Sequence, residues 1–246
     1  MSRITDLKVS IFADGADYDG MVKLARNPVI KGFTTNPSLM RKAGVNDYEA
    51  FARKVLGAIS NRPVSFEVFA DDFPSMAEQA RTIATWGANV NVKIPVTNTK
   101  GQFAGELLRV VSSEGIALNV TAVFTLEQVR AVADALDPTA RAIVSVFAGR
   151  IADTGVDPIP HMLACKQILA SRPQAQLLWA STRELLNIFH AEEAGCDIIT
   201  VPNEFLVKLD LVDKDLSEYS RETVQGFFKD ATASGYAIKT TRFAAE

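Results

Sequence analysis

Lys93 is the residue of this chain whose setting most invites chemistry. It sits in Ala88-Asn-Val-Asn-Val-Lys-Ile-Pro95, where Val90, Val92 and Ile94 alternate with Asn91, Lys93 and Pro95. Side chains alternate faces along a strand, so the two sets point opposite ways. Burying a lysine disfavours its ammonium form and lowers its pKa, which yields an amine able to attack a carbonyl. The plainer role is a strand-end lysine whose stem packs while its head reaches water.

Other polar residues stand at comparable places. Asp14 follows Val9-Ser-Ile-Phe-Ala13, Glu67 lies inside Val64-Ser-Phe-Glu-Val68, and Thr34-Thr-Asn36, Asn119-Val-Thr121, Ser145-Val-Phe147 and Ala180-Ser-Thr-Arg183 each close or follow an apolar run. Singly, each has an ordinary reading: Asn36 before Pro37 as a helix N-cap, Ser181-Thr-Arg-Glu184 as a capping box, Asp14 as a turn acceptor, Thr121 as a strand former. Glu67 and Lys93 are harder to explain that way, because charged groups are seldom buried unless paired.

The elements that must position these residues alternate regularly. Strands are expected near 9–13, 30–34, 64–68, 90–94, 116–121, 142–146, 176–180 and 198–201. Between them fit helices at 18–26, 48–59, 74–86, 101–113, 126–136, 158–171, 182–194 and 204–211. Successive strands start about 27 residues apart, close to one βαβ unit. Eight such units predict a single-domain α/β fold, a (β/α)8 TIM barrel, with residues 220–234 as an extra C-terminal helix and 231–235 and 239–246 as a mobile tail. A doubly wound sheet fits less well, since Asp14-Gly-Ala-Asp17 is not the glycine-rich phosphate loop. In a barrel the strand C-termini and following loops form the active face, so the polar residues above gather on one rim.

Composition narrows the classes further. The 246 residues are 48% hydrophobic and carry 26 basic against 29 acidic side chains, a net charge of −3. That leaves no basic block for nucleic acid, while a small anionic metabolite needs only a local positive pocket. No apolar run nears the roughly 18 residues of a membrane span, and Met1–Lys8 has no apolar signal region. Cys165 and Cys196 are too few for a disulfide framework. A cytoplasmic protein is expected. His161 and Cys165 are spaced i,i+4, but a structural zinc site takes four ligands, so no metal is expected.

Five segments, Gly32-Phe-Thr-Thr-Asn-Pro-Ser-Leu39, Asn91-Val-Lys-Ile-Pro95, Asn119-Val-Thr-Ala-Val-Phe124, Ser145-Val-Phe-Ala-Gly-Arg150 and Trp179-Ala-Ser-Thr-Arg183, resemble in order the signatures of the transaldolase family. The resemblance implies class I aldol chemistry without a cofactor. It makes Lys93 the Schiff-base nucleophile and Asp14 the base for the C4 hydroxyl, with Glu67 and Thr121 as holders of a proton-shuttling water. Thr34, Asn36, Asn119, Ser145 and Phe147 would line the site of the dihydroxyacetone unit. Arg150, Arg183 and Ser181, with a helix opening at Thr182, would clamp a phosphate; Arg150 could instead pair with Asp153. Sugar phosphates are the implied partners, and homo-oligomers are usual in the family.

The same resemblance poses a fork. Fructose-6-phosphate aldolases of this family, as the comparison has it, carry Gln and Tyr where this chain has Glu67 and Phe147. Both positions favour a transaldolase, with the aldolase as the alternative. The chain departs from the family pattern at Asp14-Gly-Ala16, usually Asp-Thr-Ala/Gly, and at Ser145-Val-Phe147, usually Ser-Pro-Phe.

Overall fold

The computed structural model describes residues 3–239. Eight parallel strands close into a barrel in chain order: β1 (Ser10–Asp14), β2 (Ile30–Thr34), β3 (Val64–Glu67), β4 (Val90–Pro95), β5 (Leu118–Val123), β6 (Ala142–Val146), β7 (Ala175–Trp179) and β8 (Ile198–Pro202). The helices are α1 (Tyr18–Leu24), α2 (Pro37–Lys42), α3 (Tyr48–Ala58), α4 (Phe73–Ala84), α5 (Gly105–Ser113), α6 (Leu126–Ala135), α7 (Ala148–Asp153), α8 (Pro158–Leu169), α9 (Asn187–Glu193), α10 (Asn203–Leu206) and α11 (Leu216–Ser234). This is the (β/α)8 barrel the alternation predicts.

Two layers of packing hold it. Outward-facing strand residues such as Phe33, Val64, Phe66, Val92, Val120, Val144 and Trp179 are buried against the helices in the main core. Inside the barrel, Phe12, Ile143, Leu178, Ala180 and Ile198 form a separate apolar cluster. Phe12 lies so close over Gly32 that a Cβ there would stand 2.5 Å from its ring. Gly32 is therefore required by close approach rather than by backbone conformation.

Several boundaries differ from the sequence expectation. β1 ends on Asp14 itself, and β5 runs over Leu118–Val123 rather than 116–121, with a register irregularity between Val120 and Val123. α2 and α7, not among the helices expected between the strands, are only six residues each, too short for a periodic apolar signal, although the Asn36-Pro37 cap pointed to the start of α2. The helix expected at 182–194 begins only at Asn187. Asn187 Oδ1 accepts the Arg183 and Glu184 amides at 2.9 and 3.3 Å, so this side chain ties up the loop that the apparent capping box was to start. The helix expected at 204–211 splits into α10 and a 3-10 turn at Leu209–Leu211. The terminal helix starts earlier than expected, on an Asp215 N-cap, and continues through the expected tail to Gly235, which caps it at φ 67°. Residues 240–246 of that tail lie outside the described residues.

Candidate active site

Strand register brings the chemistry together. Glu67 and Lys93 are partners across β3 and β4, Asp14 and Thr34 across β1 and β2, and Pro95 and Thr121 across β4 and β5. Neighbouring strands run about 4.8 Å apart, so same-face partners meet by construction. Lys93 Nζ lies 3.1 Å from Glu67 Oε2 and donates to the Thr35 carbonyl at 2.9 Å. The residue is 7% exposed. Burial alone does not define this amine, as the sequence suggested; a carboxylate faces it and can accept its proton.

Asp14, at the end of β1, is half-buried. Desolvation pushes its carboxyl above the usual Asp value, against the opposing pull of Lys93 and a hydrogen bond from Thr34. Thr34 Oγ1 donates to Asp14 Oδ1 at 2.8 Å and lies 2.5 Å from Thr200 Oγ1. Since the Thr34 proton goes to Asp14, Thr200 is the donor to Thr34. The backbone of Thr200 is fixed in turn, its carbonyl accepting the Thr182 hydroxyl at 2.8 Å.

Thr121 Oγ1 is buried and has no hydrogen-bond partner. Its neighbour Ala122 has φ 57°, a left-handed conformation unusual for a residue with a Cβ. The irregularity of β5 thus lies where it re-aims Thr121, a known use of bulges beside active sites. Next to it, Asn119 is fully buried under the site. It accepts from Ser145 Oγ at 2.6 Å and donates to Ser65 Oγ at 3.0 Å. Both ends of its amide are engaged, so it orients Ser145 instead of lining the cavity. Asn36 does cap a helix, accepting from the Leu39 amide at 3.0 Å with Pro37 opening α2, and it also lines the cavity.

That cavity, of about 450 Å³, is lined by Asp14, Thr34, Asn36, Glu67, Lys93, Thr121, Ser145, Phe147, Arg150, Ser181 and Thr200, among others. These eleven residues come from all eight strands or the segments that follow them. Arg150 stands with its guanidinium 5.2 Å from the Phe147 ring centroid, and Phe147 packs on Phe124 at 5.6 Å. Arg183 is placed differently: it does not line the cavity but grips Asp153 through Nε at 3.0 Å and Nη2 at 2.5 Å. The carboxylate considered for Arg150 therefore belongs to Arg183, whose hydrogen bonds hold Asp153 below the usual carboxylate range. Ser181 adopts φ 66°, and Gly149 approaches it so closely that a Cβ would meet its carbonyl oxygen at 1.6 Å. Only glycine permits that contact.

Sequence reading did not single out Ser65, Thr35, Thr200, Ala122 or Gly149. For Thr200 the signal was present, a lone polar residue within Ile198-Ile-Thr-Val201 at the same alternation as the other rim residues. Elsewhere, Cys165 and Cys196 are buried free thiols pushed up to about 12, which makes them poor nucleophiles. Among the described residues, no cluster of His, Cys, Asp or Glu is arranged to hold a metal, and no helix is long and apolar enough to cross a membrane.

Residues 11–242 match the family described as Transaldolase/Fructose-6-phosphate aldolase. Similar proteins include a "Probable transaldolase" of Dehalococcoides mccartyi, 34% identical over 203 residues that make up 81% of this chain and 89% of that one. Another is "Probable transaldolase 2" of Listeria monocytogenes, 31% identical over 226 residues, 90% of this chain and 95% of that one. A monomeric dihydrodipicolinate synthase variant superposes with a TM-score of 0.57 at 12% identity, covering 89% of this chain and 76% of its own, a likeness of fold alone. Matched along almost its whole length to one family and to relatives bearing that family's name, the chain belongs to the transaldolase/fructose-6-phosphate aldolase family.

Proposed function

We propose that this protein is a transaldolase that moves a dihydroxyacetone unit from a ketose phosphate, sedoheptulose 7-phosphate or fructose 6-phosphate, to an aldose phosphate through a Schiff base on Lys93. The observation that carries the reading is the Lys93 amine, buried at the base of a polar cavity with the Glu67 carboxylate 3.1 Å away. Lys93 attacks the ketose carbonyl after passing a proton to Glu67. Dehydration of the carbinolamine uses a water held between Glu67 and the otherwise unpartnered Thr121 hydroxyl. Asp14 takes the C4 hydroxyl proton as the C3–C4 bond breaks, and the iminium nitrogen receives the electron pair. Burial raises Asp14 towards the range in which a general base works best. The enamine then adds to the second aldehyde, and water releases the product by the reverse steps.

Thr34, Asn36 and Ser145 hold the hydroxyls of the three-carbon unit, with Asn119 fixing Ser145 from below. Phosphate binds Arg150 and Ser181 at the cavity edge, and Arg183 joins them by exchanging Asp153 for the phosphate. Phe147 has no phenol to donate a proton to the enamine, which supports transfer over release of free dihydroxyacetone. The whole cycle runs on side chains of one barrel domain and needs no cofactor.

The same reading places the enzyme in the cytoplasm and in the pentose phosphate pathway, without nucleic-acid or membrane partners. It also makes the enzyme a homo-oligomer. In its favour, α11 buries no residue on its own barrel while Leu216, Phe227 and Phe228 are 80, 70 and 75% exposed, a face suited to a second copy. The reading is tested by borohydride reduction with fructose 6-phosphate followed by mass spectrometry: the adduct maps to Lys93, and Glu67→Gln forms it far more slowly. Free dihydroxyacetone accumulating at the same rate with and without an acceptor aldehyde would replace transaldolase by aldolase.

A further inference from the structure

The opposite mouth of the barrel, where the strands begin, holds a second concavity of about 330 Å³. Its walls include Arg62, just ahead of β3, and Arg141, just ahead of β6, with Ser60, Asn91 and Gln176 supplying a hydroxyl and two amides. Phe12 forms its ceiling and belongs to the apolar cluster that separates it from the catalytic cavity. No Asp or Glu is among the lining residues.

The charges are what make this cavity unusual. Six arginines of the described residues, Arg53, Arg81, Arg109, Arg130, Arg183 and Arg221, pair with a carboxylate. Neither Arg62 nor Arg141 has such a partner. Arg62 Nη1 is moreover shut off from solvent without any hydrogen-bond acceptor. A buried guanidinium donor left unmet is costly, and a planar fork of N–H groups suits phosphate oxygens. The Arg62 backbone is held in place, because Asn89 Nδ2 donates to both the Ile59 and Arg62 carbonyls at 2.7 and 2.6 Å.

We propose that this mouth is a second, non-catalytic binding site for a small phosphate-bearing anion, gripped by Arg62 and Arg141. Two guanidinium groups in a confined hollow of a chain with net charge −3 suit a compact anion rather than a nucleic-acid strand. Asn91, Gln176 and Ser60 are placed to meet hydroxyls if the phosphate is esterified to a polyol. The inference stands independently of the catalytic reading, whose phosphate contacts lie at the other mouth.

The test is calorimetric titration with inorganic phosphate and, separately, with glycerol phosphate. It compares the wild type, Arg150→Ala, and the double variant Arg62→Gln/Arg141→Gln. Arg150→Ala is expected to retain one binding event, and the double variant to lose that event or weaken it at least tenfold while its turnover stays at the wild-type level, which also shows that it folds. Should the double variant not fold, Arg141→Gln alone, at an exposed position, is expected to weaken the same event. Tighter binding of glycerol phosphate than of phosphate to Arg150→Ala identifies an esterified ligand, and equal binding identifies free phosphate. The proposal is overturned if Arg150→Ala binds neither probe, or if the arginine variants bind as tightly as the wild type.

Discussion

The two mouths of this barrel are built from the same strands and separated by one apolar cluster, yet they carry different chemistry. At the C-terminal mouth, charges are matched at short range: Lys93 faces Glu67, Asp14 takes a hydrogen bond from Thr34, and Ser145 leans on Asn119. At the N-terminal mouth, Arg62 and Arg141 stand without a carboxylate. The difference is one of reactive groups against receptive ones. Parallel strands send all their C-termini to one side, so residues of one alternation parity form layers, and the top layer collects whatever the strand ends and loops provide. Carboxylates beside an amine make proton transfer possible, whereas unopposed guanidinium groups can only bind.

Substitutions can break that contrast at either end. The largest effect is expected from Lys93→Met, which should abolish the borohydride-trapped adduct with fructose 6-phosphate; an adduct persisting at another lysine would remove the chemistry from the upper layer. Asp14→Asn comes next, with kcat falling by about 10²–10⁴, the usual worth of a general base. It also has a stability signature. Because burial raises the native pKa of Asp14, the folded state binds more protons between about pH 4 and that raised value. Wild-type stability therefore falls as pH rises through this window, while Asp14→Asn escapes that loss. Urea denaturation across pH should show the variant's relative stability growing through the window and then levelling off.

Removing a phosphate contact should act on binding instead. Arg150→Ala is expected to raise KM by about ten- to a hundredfold, equivalent to about 1.5–3 kcal/mol for a charge-assisted bond. Arg183→Ala should raise it less, because Arg183 must first leave Asp153; equal KM values for the two variants would mean that both arginines serve the phosphate alike. The apolar cluster between the mouths can be tested by Gly32→Ala, whose Cβ would collide with Phe12. A loss of about 1–3 kcal/mol, typical of overpacking, is expected in chemical denaturation. Smallest is Thr200→Val. It removes the hydroxyl that donates to Thr34, weakens the bond that lowers Asp14, and should move the acid limb of kcat/KM upward with only a few-fold loss at the optimum. An unmoved limb would reduce Thr200 to packing.

By itself the sequence determined the barrel and the upper layer of its site. Eight strand-and-helix units leave little architectural choice, and period-two alternation puts Glu67 and Lys93 inside wherever their strands pair. What only tertiary structure decided were relations between segments far apart in the chain. Asp153 lies three residues from Arg150 but pairs with Arg183; the segment 181–184 carries capping residues, yet Asn187 captures its amides and delays the helix. Thr200 joins Asp14 only because the barrel closes β8 onto β1, and Asn119 lies under the cavity floor because Ser65 and Ser145 claim its amide. The lower pair of arginines, separated by 79 residues from Arg62 to Arg141, likewise meets only when strands three and six enter the same barrel. Local pattern specifies which face a side chain takes; its partner depends on strand order and register, which are properties of the closed sheet.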